Sequence, residues 1–375
     1  MPGIYIHIPF CRQKCRYCNF FSVATLGQKT DVVAALAMEI ELQQYYLEGQ
    51  TLGTIYFGGG TPSLLDKVEI ASLLKAIYHH IPVVPDPEIT LEANPDNITS
   101  DKLNQWKALG INRLSIGIQS FFDDDLKYLG RIHNGQQAAD AIKMAQDAGF
   151  GNLSIDFIYG IPTLTEKHWE TNLKMAFDLG IPHISAYALT VEEKTPLHLQ
   201  IRQNILPAVD EQQSILHFKQ MMEWMNRNGY QHYEISNFCL PGRYSRHNTS
   251  YWKREKYLGI GPSAHSFNLN SRQWNTANIS NYLKAIDAGH LPFEREILTS
   301  DQQYNEYVMT SIRTMWGCSI QTVNDAFGQQ YAEHLMEASG KYIADAMLDN
   351  RNGVLLLTNQ GKLFADRIAA DLFIV

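Results

Sequence analysis

Cysteine is scarce in this chain, with five residues in 375. A disulfide-stapled secreted framework is therefore not expected, and a reducing cytoplasmic setting is. No run of roughly eighteen apolar residues occurs, so no spanning helix is expected. The opening MPGIYIHIPF lacks a basic region followed by an apolar run and a small-residue cleavage site, so it does not read as a secretory signal. Positive charge is also in short supply: 31 Lys and Arg stand against 39 Asp and Glu, for a net charge of −8. That balance argues against broad nucleic-acid binding. Low-complexity tracts and long linkers are missing. What remains is a chain of 45% hydrophobic residues, enough for a large core and one to three domains.

The few cysteines are not scattered. Cys11, Cys15 and Cys18 fall within the stretch IYIHIPFCRQKCRYCNFF, from Ile4 to Phe21, whereas Cys239 and Cys318 stand alone. The stretch opens as a β-branched and aromatic strand, and Pro9 ends its ladder because it has no N–H to donate. Three thiols on one loop after a strand suit zinc or an iron–sulfur cluster better than core packing. Zinc would want a fourth ligand nearby, and His7 is the only local candidate. A [4Fe–4S] cluster on three thiolates would leave one iron open for a substrate or cofactor.

Six strand-like segments alternate with helical patterns. They are Ile4 to Ile8, Thr54 to Phe57, Glu88 to Glu92, Arg113 to Gly117, Leu153 to Phe157 and His183 to Tyr187. Helices are expected over 31–46, 66–78, 100–109 (capped by Ser100), 123–128, 136–148 and 169–179. This alternation predicts parallel βα units with right-handed crossovers. Glycines and polar residues recur just after the strands, which points to a ligand site at their carboxyl ends. The pattern alone leaves a barrel and a doubly wound sheet both open. Beyond Thr190 the pattern changes to a long helix over 210–228, a polar-aromatic region, and a mostly helical last third. That third carries helices over 301–315, 320–327 and 332–349 and a short strand over 354–358. Domains are expected at 1–200, 201–295 and 296–375.

The Cys11-x3-Cys15-x2-Cys18 spacing is similar to the CxxxCxxC motif of radical S-adenosylmethionine (SAM) enzymes. Its flank, Tyr5-Ile6-His7-Ile8-Pro9-Phe10-Cys11, resembles the entry strand of the oxygen-independent coproporphyrinogen III oxidase family. The oxidases proper carry a fourth cysteine two residues past the third. This chain has Phe20 there, and Cys18-Asn19-Phe20 resembles the HemW branch of heme chaperones. The resemblance implies a partial (β/α)6 radical SAM barrel. It also implies a smaller, mostly helical, winged-helix-like C-terminal domain that packs on the barrel and can cover its mouth.

The same resemblance implies three cofactors: a [4Fe–4S] cluster on Cys11, Cys15 and Cys18, SAM, and heme. For SAM it implies the turn Gly58-Gly59-Gly60-Thr61, with Gly59, Gly60 and Thr61 near the methionyl amino group. Glu92, Gln119, Arg131 and Asp156 would be further contacts, with Arg131 on the carboxylate. Tyr5 and Tyr17 would flank SAM, and Thr190 and His265 would lie near its adenosine. The chemistry implied is electron transfer from the reduced cluster into the sulfonium, giving methionine and a 5′-deoxyadenosyl radical. His247-Asn248-Thr249-Ser250-Tyr251-Trp252 fits the HNxxYW motif of HemW proteins, which implies His247 as a heme-iron ligand beside two flat rings. Implied partners are heme-accepting hemoproteins and an electron donor such as flavodoxin or ferredoxin, with no nucleic acid. Peripheral membrane association and a homodimer are compatible with it. SAM binding without coproporphyrinogen oxidation is the expected behaviour. The alternatives are the oxidase itself, another SAM-radical enzyme, or a redox sensor whose cluster reports oxygen.

Overall fold

A computed structural model describes residues 1–375. Six parallel strands form its centre: β1 (Gly3–Ile8), β2 (Leu52–Gly59), β3 (Val83–Ala93), β4 (Arg113–Gln119), β5 (Leu153–Tyr159) and β6 (His183–Ala188). Their spatial order is their sequence order. A doubly wound sheet would reverse its order at a switch point, and no reversal occurs here. The winding is that of a barrel wall left open.

Each strand alternates. Ile4, Ile6 and Ile8, Ile55 and Phe57, Ile89 and Leu91, and Leu114, Ile116 and Ile118 are at most 3% exposed. They belong to a cluster of 62 buried apolar residues that also takes in the helices. The helix Gly135–Asp147 shows why: Ala138, Ala141, Ile142 and Ala145 fall on one buried stripe. The opposite face is polar. Register sets Tyr56 beside Thr90, Thr90 beside Arg113, Glu92 beside Ser115, Ser115 beside Ser154, and Asp156 beside Ser185. Helix starts and stops follow the local chemistry. Asp66 and Glu69 form a capping box, and Gly110 and Gly149 end helices at φ of 86° and 82°. Thr99, not Ser100, caps the helix Ser100–Ala108, by accepting from the Lys102 amide.

The middle third extends the sheet on both sides. β8 (Asn237–Cys239) adds antiparallel to β6, and β7 (Gln231–Glu234) adds antiparallel to β8. β9 (Tyr257–Ile260) pairs in parallel with β1, and β10 (His265–Phe267), β11 (Ser271–Asn275) and β12 (Phe293–Ile297) continue antiparallel from it. The twelve-stranded sheet therefore ends at β12 and β7. The sequence pattern did not reveal β10 to β12, because short strands rich in Ser, Arg, Gln and Glu carry no apolar alternation.

Residues 300–372 build a second core of fourteen buried residues, including Tyr304, Leu335 and Leu355. The order is helix Ser300–Ile312, strand Cys318–Ser319, helices Ile320–Phe327 and Gln329–Ala344, then strands Leu348–Arg351 and Val354–Leu357. That is the order of a winged helix. The expected helix over 332–349 stops at Ala344. Asn352 and Gly353, at φ of 55° and 83°, make the two-residue hairpin turn between the last two strands. Asn-Gly is the dipeptide that favours such a turn. This unit does not cover the mouth of the barrel. It packs on β7, where the Met315 amide donates to the Tyr233 carbonyl at 2.9 Å, and on the helix Arg246–Trp252, where Arg313 lies over the Trp252 ring.

Candidate functional site

A cavity of about 480 Å³ opens at the carboxyl ends of β1 to β6. It is lined by Cys11, Cys15, Cys18, Tyr17, Gly59, Gly60, Thr61, Glu92, Gln119, Arg131, Asp156 and Thr190. Residues more than a hundred positions apart meet there because every strand of a parallel βα fold delivers its last residues to the same rim.

The cysteine loop is held from several directions. The Cys11 amide donates to the Val23 carbonyl at 3.0 Å, and the Val23 amide returns to the Pro9 carbonyl at 2.8 Å. The Arg16 amide donates to the Leu129 carbonyl at 3.0 Å, and its guanidinium to the Lys127 and Tyr128 carbonyls at 2.8 and 3.1 Å. These are the open carbonyls of the helix Asp123–Leu129, so the loop caps a helix end. His7 ties the loop back to β1: Nε2 donates to the Phe21 carbonyl at 2.9 Å, leaving Nδ1 to accept from the Tyr5 hydroxyl at 3.2 Å. With both nitrogens engaged, His7 is a strut and not a fourth metal ligand.

The glycine turn is required by packing. A Cβ on Gly59, whose φ is 108°, would lie 2.6 Å from the His7 ring, and one on Gly60 would lie 2.7 Å from the Phe10 carbonyl oxygen. The two glycines let β2 run tight against the root of the cysteine loop. Gln119 has φ of 63° at the end of β4, where the register with β5 shifts. A non-glycine residue in this region is held at a cost of about 1–3 kcal/mol.

Arg131 is the junction of the site. Nη1 donates to Cys15 Sγ at 3.4 Å, and Nη2 donates to Asn94 Oδ1 at 2.8 Å and to the Gly117 carbonyl at 2.6 Å. One Nη1 hydrogen and Nε remain for an incoming carboxylate. Asn94 in turn donates to Thr61 Oγ1 at 3.3 Å. Across the cavity Glu92 accepts from the Tyr56 hydroxyl at 2.7 Å and from the Gly59 amide at 3.1 Å. Burial pushes its carboxyl up to about 7, with Asp156 adding to the rise. Burial likewise lifts Asp156 to about 6, against the pull of the Ser185 and Ser115 hydroxyls. The two carboxyls thus share a dry floor that a bound cation would favour in its ionised form.

The residue set fits an iron–sulfur cluster. The three thiols share one end of the cavity, and burial raises the Cys18 thiol with Cys15 and Cys11 adding to the effect. No three His, Cys, Asp or Glu side chains converge closely enough to hold a single metal ion. A four-iron cluster takes each thiolate on a different iron and needs no such convergence.

Three expected residues lie elsewhere. Tyr5 stacks on Tyr56 at 5.9 Å in the barrel interior, behind the cavity. His265 is exposed at the start of β10, stacked on Trp274 at 6.1 Å. His247 sits at the amino ends of the strands, the opposite end of the barrel. It is 1% exposed. Its Nδ1 lies 2.7 Å from Thr54 Oγ1, its Nε2 lies 2.7 Å from the Tyr251 hydroxyl, and its amide donates to Glu88 at 3.0 Å. Neither ring nitrogen is open to iron in this conformation. Conversely, Asn94, Tyr56 and Ser115 belong to the site and were not anticipated. Asn94 was within reach of sequence reasoning, because it stands just past β3, as Gly60 stands past β2.

Comparison with known proteins agrees with this geometry. The family model of the radical SAM superfamily matches residues 5–176, and that of the HemN C-terminal domain matches residues 298–364. The chain is 33% identical to the heme chaperone HemW of Mycobacterium tuberculosis (strain H37Rv), over 99% of this chain and 94% of that protein. It is 32% identical to the HemW of Bacillus subtilis (strain 168), over 98% of each. With the HemW of Escherichia coli (strain K12) it shares 39% identity over 70% of this chain and 69% of that one. Among solved structures, the radical SAM enzyme coproporphyrinogen III oxidase (HemN) of Escherichia coli superposes with a TM-score of 0.87 at 23% identity, over 99% of this chain and 90% of that one.

Proposed function

The chain belongs to the HemW family within the radical SAM superfamily, and on that footing we propose that it is a heme chaperone. In this reading it holds a [4Fe–4S] cluster and SAM, takes up heme, and passes it to acceptor hemoproteins in the cytoplasm. No helix is long and apolar enough to cross a membrane. The observation that carries the reading is the convergence of three thiols, one guanidinium and two half-buried carboxyls on a single cavity, with Phe20 in place of a fourth cysteine.

Cys11, Cys15 and Cys18 would hold the cluster, which supplies one-electron chemistry when loaded, with flavodoxin or ferredoxin as the type of donor. The remaining steps belong to the chain itself. Arg131 orients a carboxylate while its other arm donates to Cys15. Glu92 and Asp156 accept from the amino group and ribose hydroxyls of SAM. Buried Tyr56 holds Glu92 in place. Because the Glu92 carboxyl is raised to about 7 and the ligand is cationic, binding competes with a proton. SAM affinity should therefore hold above neutrality and fall as the pH drops through that value. A loss of roughly tenfold is expected between about pH 7.5 and pH 5.5. Calorimetry should show the slope flattened in Glu92→Gln, and an equally steep slope there would remove Glu92 from the site.

The oxidase reading is tested directly. Anaerobic incubation with SAM, a reductant and coproporphyrinogen III should leave the porphyrinogen unconverted, while hemin titration should show stoichiometric binding. Protoporphyrinogen formed at enzymatic rates would overturn the chaperone reading. His247 enters heme binding only through rearrangement: the helix Arg246–Trp252 must leave β2 and give up the hydrogen bond to Thr54, or the ring must turn away from Tyr251 on its own helix.

A further inference from the structure

A second cleft, about 1090 Å³, lies between the helix Glu211–Arg227 and the C-terminal unit. None of its lining residues belongs to the cysteine cavity. It is well above the ~300 Å³ at which cofactor pockets begin. We propose that this cleft seats the iron porphyrin. His232 ligates the iron, Lys219 and Lys362 meet the two propionates, and Met222, Met315 and Phe364 lie against the ring. The inference rests on the heme-chaperone reading above.

The histidine carries the argument. His232 Nε2 lies 3.1 Å from the Ile235 carbonyl, so Nε2 bears the proton and Nδ1 the lone pair. Its ring is stacked on Phe238 at 4.0 Å, which fixes its plane. A histidine whose second nitrogen donates to a backbone carbonyl is the usual arrangement of a metal ligand. The lone pair has one partner, Lys362 Nζ at 3.1 Å. A propionate would draw Lys362 away from Nδ1 and compensate its desolvation in the same movement. Both nitrogens of His247 are also engaged, but by the Thr54 and Tyr251 hydroxyls, which carry no charge for a propionate to draw away.

Charge and apolarity are complementary to the same ligand. Lys219 is exposed on the wall, and the one acidic lining residue, Glu223, is already paired with Arg227. Met315 and Phe364 are 39% and 43% exposed although large and apolar, and with Met222 they offer a flexible apolar wall. A porphyrin is a flat apolar plate with an anionic edge, and this wall and rim match its two parts. A neighbouring cavity of about 370 Å³ shares His232, Met315 and Lys362, so the histidine is approached from two sides.

The test uses the full chain with its cluster reconstituted, titrated with hemin and separately with iron-free protoporphyrin. Hemin should slow hydrogen exchange over 211–227 and 357–364. Lys219→Glu combined with Lys362→Glu should weaken both ligands roughly tenfold or more. His232→Gln should change the Soret difference spectrum of hemin and leave protoporphyrin affinity within about twofold, since the free base has no iron to ligate. Lys219→Glu alone, at an exposed position, should still weaken hemin without lowering the melting temperature. If the unaltered chain binds hemin while these segments stay unprotected and the variants match it in affinity and spectrum, the cleft is not the site. Protection of 246–252 with a changed spectrum in His247→Ala would transfer the iron to His247. A chain that binds no hemin at all overturns the chaperone reading, and the cleft assignment with it.

Discussion

Anaerobic reconstitution of Cys15→Ala should yield almost none of the about four irons and four sulfides per chain expected of the unaltered protein. Three thiolates would be the whole protein ligand set, because His7 is committed to Phe21 and Tyr5, and Phe20 offers no donor. Removing one leaves two anchors on a loop whose other ties are to backbone groups. Cys15→Ala also takes from Arg131 the sulfur that its Nη1 faces at 3.4 Å, leaving one arm of a half-buried guanidinium without its acceptor. The loss should therefore exceed that of Cys18→Ala in SAM affinity, though not in iron content. Iron and sulfide analysis with the visible charge-transfer band reads the first effect, and calorimetry the second. A variant that keeps its full iron content, or an unaltered chain that binds one zinc and shows no such band, would refute the assignment.

Glu39→Ala should be the most destabilising single change outside the site. Glu39 is fully buried on the helix Lys29–Leu42 and accepts from four groups. These are the Gln43 amide at 2.7 Å, the Gly261 N–H at 2.8 Å, Asn275 Nδ2 at 2.6 Å and the Tyr282 hydroxyl at 2.6 Å. Three of the four come from the middle third, so this carboxylate fastens β9, β11 and the helix Ile279–Asp287 to the first βα unit. Its own burial raises its pKa, and losing that desolvation offsets part of the effect. Four donors without an acceptor still outweigh it, for a net cost of about 3 kcal/mol. Thermal melting should drop by several degrees, and hydrogen exchange should quicken over 257–297 while β3 to β5 stay protected. Unchanged exchange in that segment would mean that packing alone holds the extension.

Much of the molecule is legible in its sequence. The six strands and their helices follow from apolar alternation, caps and glycine stops, all of which act over a few residues. The cysteine cluster was readable because thiols are rare and their spacing is short. The family resemblance then gathered Gly59, Glu92, Gln119 and Asp156 into one prediction, and they do line one cavity. Asn94 and Tyr56 escaped because each looks like an ordinary strand or turn residue until its partner from another strand arrives.

The parallel βα core, the thiol cluster at its first loop and the polar rim are local properties of the chain, since each depends on periodicity or on spacing within one segment. Tertiary structure alone decided the rest. It carried the strands from Tyr257 to Ile297 around to the far side of β1. It turned Arg131 toward Cys15, and it set the C-terminal unit against β7, away from the cysteine cavity. It also placed His247 at the closed end of the barrel. A motif states which side chains are present, but whether a ring nitrogen is free depends on what the rest of the chain packs beside it. For His247 those neighbours are Thr54 and Tyr251, and for His232 they are Ile235 and a lysine 130 residues away.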